Sequence, residues 1–175
     1  YSTYNNKTNL APRISMAFRI NESSQLAAAW GQFYQQCSHD YLKYSDQLDF
    51  EKAQHLLLNY QFVKNERIFR TELYYKKYSN LITFSSGQYA EYENLGNKGN
   101  GYAQGIDVFW KDDKTLKNTT YWISYSFIKS EREYKDYPQK ATPHFVSPHN
   151  LSVVFKYWLR ALNTQFAATY TFSSG

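Results

Sequence analysis

The residue types that could do acid–base or metal chemistry are present in this chain, but their spacing does not group them. Glu72 and Asp107 fall on the polar sides of alternating segments, where lining a wet surface is the expected role. His39, His144 and His149 lie in or beside loops and lack the spacing of metal ligands. We therefore expect no catalytic site, no cofactor and no bound metal, and the chain is predicted not to be an enzyme.

Cysteine content and charge exclude two further classes of function. Cys37 is the one cysteine, so no disulfide can form within the chain, and no motif with a partner base marks it as a nucleophile. The net charge is +5, yet no basic cluster is larger than the adjacent Lys76 and Lys77. Because no recognition motif accompanies this charge, nucleic-acid binding is not expected.

Aromatic side chains in the long loops are the best candidates for binding. The chain has 18 Tyr, 12 Phe and 4 Trp, although its mean hydropathy is −0.70. Such amphipathic rings suit a boundary between apolar and wet surroundings. Loops on a rigid scaffold commonly carry binding residues, so the candidates for contact with a ligand are Tyr89, Tyr92, Tyr134, Tyr137 and Phe145.

The elements that would position these loops are strands, because apolar and polar residues alternate along most of the chain. In RISMAFRI, Ile14, Met16 and Phe18 share one side, while Arg13 and Arg19 lie on the other. Similar segments follow at regular intervals, and each is about as long as the 9–11 residues of a membrane-spanning strand. The pattern predicts an all-β, antiparallel, up-and-down meander of about eight strands.

The connections between these strands alternate between short and long. The long ones are predicted at residues 35–47, 79–100 and 129–148, with short turns between them. In an up-and-down meander, all short turns then lie at one end and all long loops at the other, as in outer-membrane β-barrels. The barrel pattern places one side of each strand against lipid, and the residues predicted to face lipid are Ile14, Met16, Phe18, Ile106, Val108, Tyr121, Ile123, Tyr125, Phe127, Leu151, Val153 and Phe155.

Strand alternation by itself leaves a soluble alternative open. The same pattern would suit a soluble all-β domain whose apolar sides meet in a protein core. Such a domain could be a cell-surface binding module that uses Tyr and Trp as platforms for sugars. If the chain is instead an excised part of a barrel, its unpaired edges could assemble with each other or close a smaller barrel. No run of about 18 apolar residues predicts a membrane-spanning helix.

Several segments resemble strands of the C-terminal barrel of TonB-dependent outer-membrane receptors, particularly those of the Bacteroidetes group. They are NLAPRISMAFRI, SQLAAAWGQFYQ, DFEKAQHLLLNYQF, FRTELYYKKYSNLI, NKGNGYAQGIDVFW and PHNLSVVFKYW. Asn59 stands where that family often has glycine. The order of the segments, which covers nearly the whole chain, is more specific than any one of them.

The resemblance implies a 22-stranded barrel in the bacterial outer membrane, closed by an N-terminal plug domain and driven by the TonB complex. Residues 1–175 would be an internal part of that barrel, without a plug. The expected partners are outer-membrane lipid, the plug of the same receptor, and TonB through other regions. The expected function is active uptake of a scarce small-molecule or glycan ligand, such as a metal chelate, cobalamin or a glycan.

Overall fold

Eight antiparallel strands follow one another in sequence order through a single sheet in the computed structural model, which describes residues 8–45, 47–85 and 92–174. The predicted all-β, up-and-down meander is therefore confirmed. The strands are β1 (Arg13–Asn21), β2 (Ser24–Gln35), β3 (Glu51–Lys64), β4 (Arg67–Ser85), β5 (Glu93–Asp112), β6 (Thr119–Glu133), β7 (His149–Leu159) and β8 (Thr164–Ser173). A short helix, α1 (His39–Leu42), precedes β3, and a 3-10 turn (Arg160–Leu162) precedes β8.

The turns at one end of the sheet are tight because their residues adopt left-handed backbone conformations. Asn65 and Glu66 join β3 to β4 with φ angles of 51° and 62°. Two successive left-handed residues form the kind of turn whose twist matches that of paired strands. Asn163 ends the 3-10 turn with a φ of 46°. Between β1 and β2, the N–H of Ser23 donates to the Asn21 side chain at 2.9 Å.

The opposite end carries the long connections, and one of them differs from its prediction. The segment 79–100 was expected to be a loop because of its glycines, but β4 continues to Ser85 and β5 begins at Glu93. The two strands pair through this region with register shifts between Ser79 and Ser85. Such bulges accommodate unpaired residues within a ladder, and Asn80 and Asn94 take the left-handed backbone there. The prediction of an open loop was therefore wrong, and a bulged hairpin extends past the neighbouring strands.

Most of the buried apolar side chains in the described ranges lie at this long-loop end. Cys37, Leu48 and Ile82 form a small core, and Tyr41, Leu42, Phe84 and Leu95 pack against it. This core joins the connection 36–50 to the extended β4–β5 hairpin. The connection 134–148 is attached to the same hairpin, since the N–H of Phe84 donates to the Lys135 carbonyl at 2.9 Å.

The strand register divides the side chains of the sheet into two faces. Directly paired residues on neighbouring strands point to the same side, and unbroken rows such as Met16–Ala28–Leu58–Leu73–Ile106–Phe127 cross most of the sheet. We call one side the apolar face; its large residues include Ile14, Met16, Phe18, Leu26, Trp30, Leu56, Leu58, Tyr60, Phe62, Phe69, Leu73, Tyr75, Tyr102, Ile106, Val108, Trp110, Tyr121, Ile123, Tyr125, Phe127, Leu151, Val153, Phe155, Tyr157, Phe166, Tyr170 and Phe172.

The other side, which we call the polar face, carries charged, amide, hydroxyl and small side chains together with a few rings. They include Arg13, Ser15, Arg19, Gly31, Phe33, His55, Asn59, Arg70, Glu72, Tyr74, Lys76, Tyr78, Gly101, Gly105, Asp107, Trp122, Ser124, Ser126, Arg132, Asn150, Ser152, Lys156 and Thr171. Alternation along each strand and register between strands therefore agree outside the register shifts near Asn21 and between Ser79 and Ser85.

Candidate functional site

The apolar face is exposed over its whole width in the described structure. Met16 is 71% exposed at one edge of the sheet, Leu56 is 54% exposed in β3, and Tyr170 is 60% exposed at the other edge. The patch runs across eight strands, whereas soluble monomers rarely expose apolar patches of more than a few hundred Å². Every residue predicted to face lipid belongs to this face. What covers the face is part of the function proposed below.

Aromatic rings mark both ends of the apolar face. Near the short turns, the Phe69 ring lies 6.2 Å from Tyr60 and 6.3 Å from Trp110, measured between centroids. Near the long loops, Tyr75 and Tyr102 stack at 6.5 Å. In β3, β4 and β5 the aliphatic residues between these rings are Leu58, Leu73, Ile106 and Val108. Rows of amphipathic rings on either side of an aliphatic band are typical of strands that cross a lipid bilayer.

Glycines on the polar face let large side chains lie flat against the sheet. A Cβ atom on Gly31 would be 3.1 Å from the Cγ of Arg13 and 3.2 Å from the Phe33 ring. The Arg13 guanidinium in turn lies 4.4 Å from the centroid of Phe33, whose ring is 4.4 Å from that of His55. Arginine, ring and imidazole therefore form a layer on the sheet next to the long loops. Cation–π contacts of this kind hold a charged group close to an aromatic surface.

The carboxylates named by the sequence lie on the polar face. Glu72 and Asp107 are directly paired between β4 and β5, and both are partly exposed. Two carboxylates that share acid–base catalysis need surroundings that give them different pKa values. In the described ranges neither Glu72 nor Asp107 takes part in a hydrogen bond or an ion pair. No group of three or more metal-ligating side chains is found in the part of the chain that the structure describes.

The loop residues proposed for ligand binding fall into separate places. Tyr134 and Tyr137 meet edge to face with centroids 5.0 Å apart on the connection 134–148. Tyr92 packs instead against the end of β4, with its ring 4.8 Å from that of Phe84. Phe145 is 58% exposed. Tyr89 lies outside the described residues.

One of these positions, Tyr92, also shows how the long-loop end is held together. Tyr92 contacts Tyr41 and Tyr44 at centroid distances of 5.2 and 5.1 Å, so its ring joins two connections. Burial raises the pKa of the Tyr41 hydroxyl, which stays protonated at neutral pH. Tyr92 is therefore a packing residue between loops, and its ring offers a ligand less free surface than that of Phe145.

Cys37 lies in this loop core, although the sequence placed it in a polar loop. Its side chain is 6% exposed and donates to the carbonyl of Asp49 at 3.0 Å. Burial raises the pKa of the thiol. Because the thiolate is the reactive form, Cys37 has the properties of a structural cysteine and not of a nucleophile.

Arg132 is the residue at this end that sequence reasoning missed. It lies between Glu131 and Glu133 in a charged run, which hides the alternation that would have assigned it to the polar face. In the structure its guanidinium is 4.2 Å from the centroid of Tyr78 and 5.6 Å from that of Phe145. Arg132 continues the alternating pattern of Trp122, Ser124 and Ser126, and this pattern could have assigned it to the polar face.

Comparison with known proteins identifies the fold. The structure is similar to the outer-membrane transporter YddB of Escherichia coli, with a TM-score of 0.76 over 98% of this chain and 15% sequence identity. The chain has the fold of a segment of an outer-membrane transporter barrel. It is also similar to the FrpB iron transporter of Neisseria meningitidis, with a TM-score of 0.73 over 91% of the chain and 13% identity.

A third similar structure is the ferric-catecholate import receptor Fiu of Escherichia coli K12, with a TM-score of 0.67 over 93% of this chain and 9% identity. The chain spans 29% of YddB, 26% of FrpB and 25% of Fiu. No protein-family model and no curated protein matches the sequence. Among the described residues, no helix combines the length and the apolar character required to cross a membrane.

Proposed function

We propose that this chain forms part of the barrel wall of a TonB-dependent transporter in the bacterial outer membrane, which takes up a scarce ligand. The apolar face contacts lipid, the polar face surrounds the plug domain, and the long loops face the cell exterior. TonB engages other regions of the same receptor. Similarity in fold to outer-membrane transporters supports this proposal, as do the short turns collected at one end.

The observation that carries the proposal is the continuous apolar face. Hydrocarbon offers no hydrogen-bond partner, so a sheet that crosses it must pair its backbone groups and expose apolar side chains outward. The register pairs every two neighbouring strands from β1 to β8 and places the apolar side chains on one face. A soluble sandwich would bury this face beneath a second layer, whereas the described residues form one sheet.

The two edge strands support assignment to a larger barrel. Every residue of β1 and β8 is exposed, and each strand has a partner on one side within the described ranges. Unpaired edges in hydrocarbon are costly, so we expect both to pair with further strands of the receptor. We propose that residues 1–175 are an internal part of the 22-stranded barrel that the sequence resemblance implies.

The ligand is proposed to be one of the scarce compounds that such receptors import, namely a metal chelate, cobalamin or a glycan. FrpB is described as an iron transporter and Fiu as a ferric-catecholate import receptor, which keeps metal chelates among the candidates. The loop residues Tyr134, Tyr137 and Phe145 are proposed to contact the ligand as it arrives; Phe145 is exposed and the two tyrosines are partly exposed.

Adjacent residues of β7 allow a matched test. Val153 lies on the apolar face and Ser152 on the polar face. In the intact receptor refolded into lipid vesicles, Val153→Arg should lower the free energy of unfolding by about 2–4 kcal/mol if the position is near the midplane. Ser152→Arg should lower it much less, because its side chain extends into a wet interior.

Urea titrations of both variants and of the wild type would measure this difference. Equal losses would contradict the assignment of the apolar face to lipid. A receptor that is monomeric and folded in plain buffer, without detergent or lipid, would instead support a soluble binding module.

A further inference from the structure

A cavity opens on the polar face directly beneath the long connections. Its volume is about 350 Å³, and its lining includes Phe33, His55, Tyr78, Leu81 and Arg132. A neighbouring cavity of about 310 Å³ reaches under the connections and is lined by Tyr41, Glu51 and Tyr134, among others. Arg132, Leu81 and Glu51 line both. The arginine therefore lies where a molecule entering between the loops would meet the wall of the sheet.

The backbone and the neighbouring strand hold Arg132 in one position. The backbone N–H of Arg132 donates to the Ala141 carbonyl at 2.9 Å, and the backbone N–H of Ala141 donates to the Arg132 carbonyl at 3.1 Å. On its other side Arg132 is paired with Gly101. A Cβ atom on Gly101 would be 2.8 Å from the Cγ of Arg132. The missing side chain thus lets Arg132 cross β5 and reach the Tyr78 ring on β4.

The charge of Arg132 is not matched within the described residues. Its Nε is buried and has no hydrogen-bond partner there. Its neighbours in sequence point to the other face, where Glu131 approaches Lys129 at 3.7 Å and Glu133 accepts from Asn100 at 3.5 Å. A buried polar group without a partner is costly, and a charged one more so.

Glu51, the carboxylate that lines both cavities, does not neutralise this arginine. Its Oε1 accepts the N–H of Ile82 at 3.0 Å, which attaches it to the loop core, and no ion pair joins it to Arg132 in the described ranges. The other Lys, Arg, Asp or Glu side chains that line the two cavities are cations: Lys52 lines one cavity and Lys135 the other. The surroundings of Arg132 therefore favour an anion.

We propose that Arg132 binds the oxyanion of an imported ligand, a carboxylate or a phosphate carried on an aromatic or otherwise apolar body. The inference rests on the proposed function, since it assigns a ligand-contacting residue and a ligand charge to the transporter. The guanidinium fork can donate two parallel hydrogen bonds to a pair of oxygens of a carboxylate or a phosphate. Tyr78 and Phe145 flank it and provide surfaces for the apolar part of the ligand. Cavities of this size are in the range of small-molecule sites.

Small probe anions test the proposal in the intact, refolded receptor. Isothermal titration calorimetry would compare benzoate, inorganic phosphate and the uncharged benzyl alcohol. Benzoate should bind saturably and benzyl alcohol should not. Arg132→Gln should weaken benzoate binding at least tenfold, whereas Lys129→Gln, which removes a positive charge from the opposite face of the same strand, should leave it unchanged.

A second variant keeps the proposal testable if Arg132→Gln fails to fold. Phe145→Ser alters an exposed ring and should weaken benzoate binding while leaving phosphate binding unchanged. Binding of either anion that depends on Arg132 supports the proposal, and the stronger of the two identifies the class of oxyanion.

Two outcomes would overturn the proposal. One is that neither benzoate nor phosphate binds more weakly to Arg132→Gln than to the wild type; the other is the absence of saturable binding of both anions, as expected if an acidic side chain elsewhere in the receptor already occupies Arg132. A receptor that passes the lipid test on Val153 but binds no anion would refute this inference alone and leave the transporter assignment intact.

Discussion

Tyr74 of β4 lies across Gly105 of β5, so that a Cβ atom at position 105 would be 2.5 Å from the tyrosine hydroxyl oxygen. The same atom would also collide with the carbonyl oxygen of Phe127 on β6. The absence of a side chain at Gly105 thus lets three strands approach with a ring lying flat over them. Tyrosine over glycine in a paired position is a known way to compensate for the missing side chain.

Gly105→Ala should destabilise the sheet because backbone atoms of β6 would have to move. We expect a loss of about 1–3 kcal/mol in the free energy of unfolding, measured by urea titration of the refolded receptor. Gly96→Ala is the matched control in the same strand, since a Cβ there would meet nothing within 4 Å. Its effect should stay within about 0.5 kcal/mol; equal losses for the two variants would contradict the close contacts of Gly105 with Tyr74 and the β6 backbone.

Asn97 should control the order of the connection 36–50. Its side chain accepts the N–H of Asp49 at 2.7 Å and donates to the carbonyls of Asp49 and Asn80 at 3.1 and 2.9 Å. Each such bond contributes about 1 kcal/mol, so Asn97→Ala should speed hydrogen exchange at the Asp49 amide at least tenfold. Asn100→Ala removes one long bond of 3.5 Å and should leave that exchange rate nearly unchanged.

Cys37 should react slowly with thiol reagents in the folded receptor. Its side chain is buried, and burial raises the pKa of the thiol, so little thiolate forms at pH 7–8. Labelling with a maleimide followed by mass spectrometry would measure the rate. A Gln36→Cys, Cys37→Ser double variant places the thiol at an exposed neighbouring position and should react much faster. Similar rates for the two proteins would contradict the buried loop core.

Asp112 should be important for the turn between β5 and β6. Its carboxylate is buried, accepts the N–H groups of Lys114 and Thr115 at 2.8 Å each, and pairs with Arg67 at 3.0 Å. Asp112→Ala should lower the urea midpoint, because several donors lose their acceptor at once. Asp112→Asn, which keeps an acceptor oxygen, should recover part of the loss.

The control for Asp112→Ala is a variant that breaks a solvent-exposed ion pair. Lys43 and Asp40 are joined at 3.1 Å, but both side chains are 70% exposed. Exposed pairs contribute about 0–1 kcal/mol, so Lys43→Ala should shift the midpoint only slightly. A shift as large as that of Asp112→Ala would contradict a special role for the buried carboxylate.

Two results differ in how far the sequence could anticipate them. The side of β6 on which Tyr125 and Ser126 lie follows from alternation alone, because the period of a strand is the same whatever packs against it. The continuation of β4 to Ser85 and the start of β5 at Glu93, both within the segment predicted to be a loop, could not be anticipated. Glycines such as Gly96 and Gly99 normally interrupt strands, and only pairing through a bulged register showed that they belong to a hairpin.

The sequence by itself determined the strand faces, the alternation of short and long connections, and hence an up-and-down meander with an apolar side. These features depend on local geometry, which each segment carries on its own. The tertiary structure decided what depends on neighbours far apart in the chain. It joined Tyr92 to Phe84 and Tyr41, buried Cys37 beneath the connection 36–50, and brought Arg132 across Gly101 to Tyr78. Such contacts follow from strand register and loop packing, which no single segment of the sequence specifies.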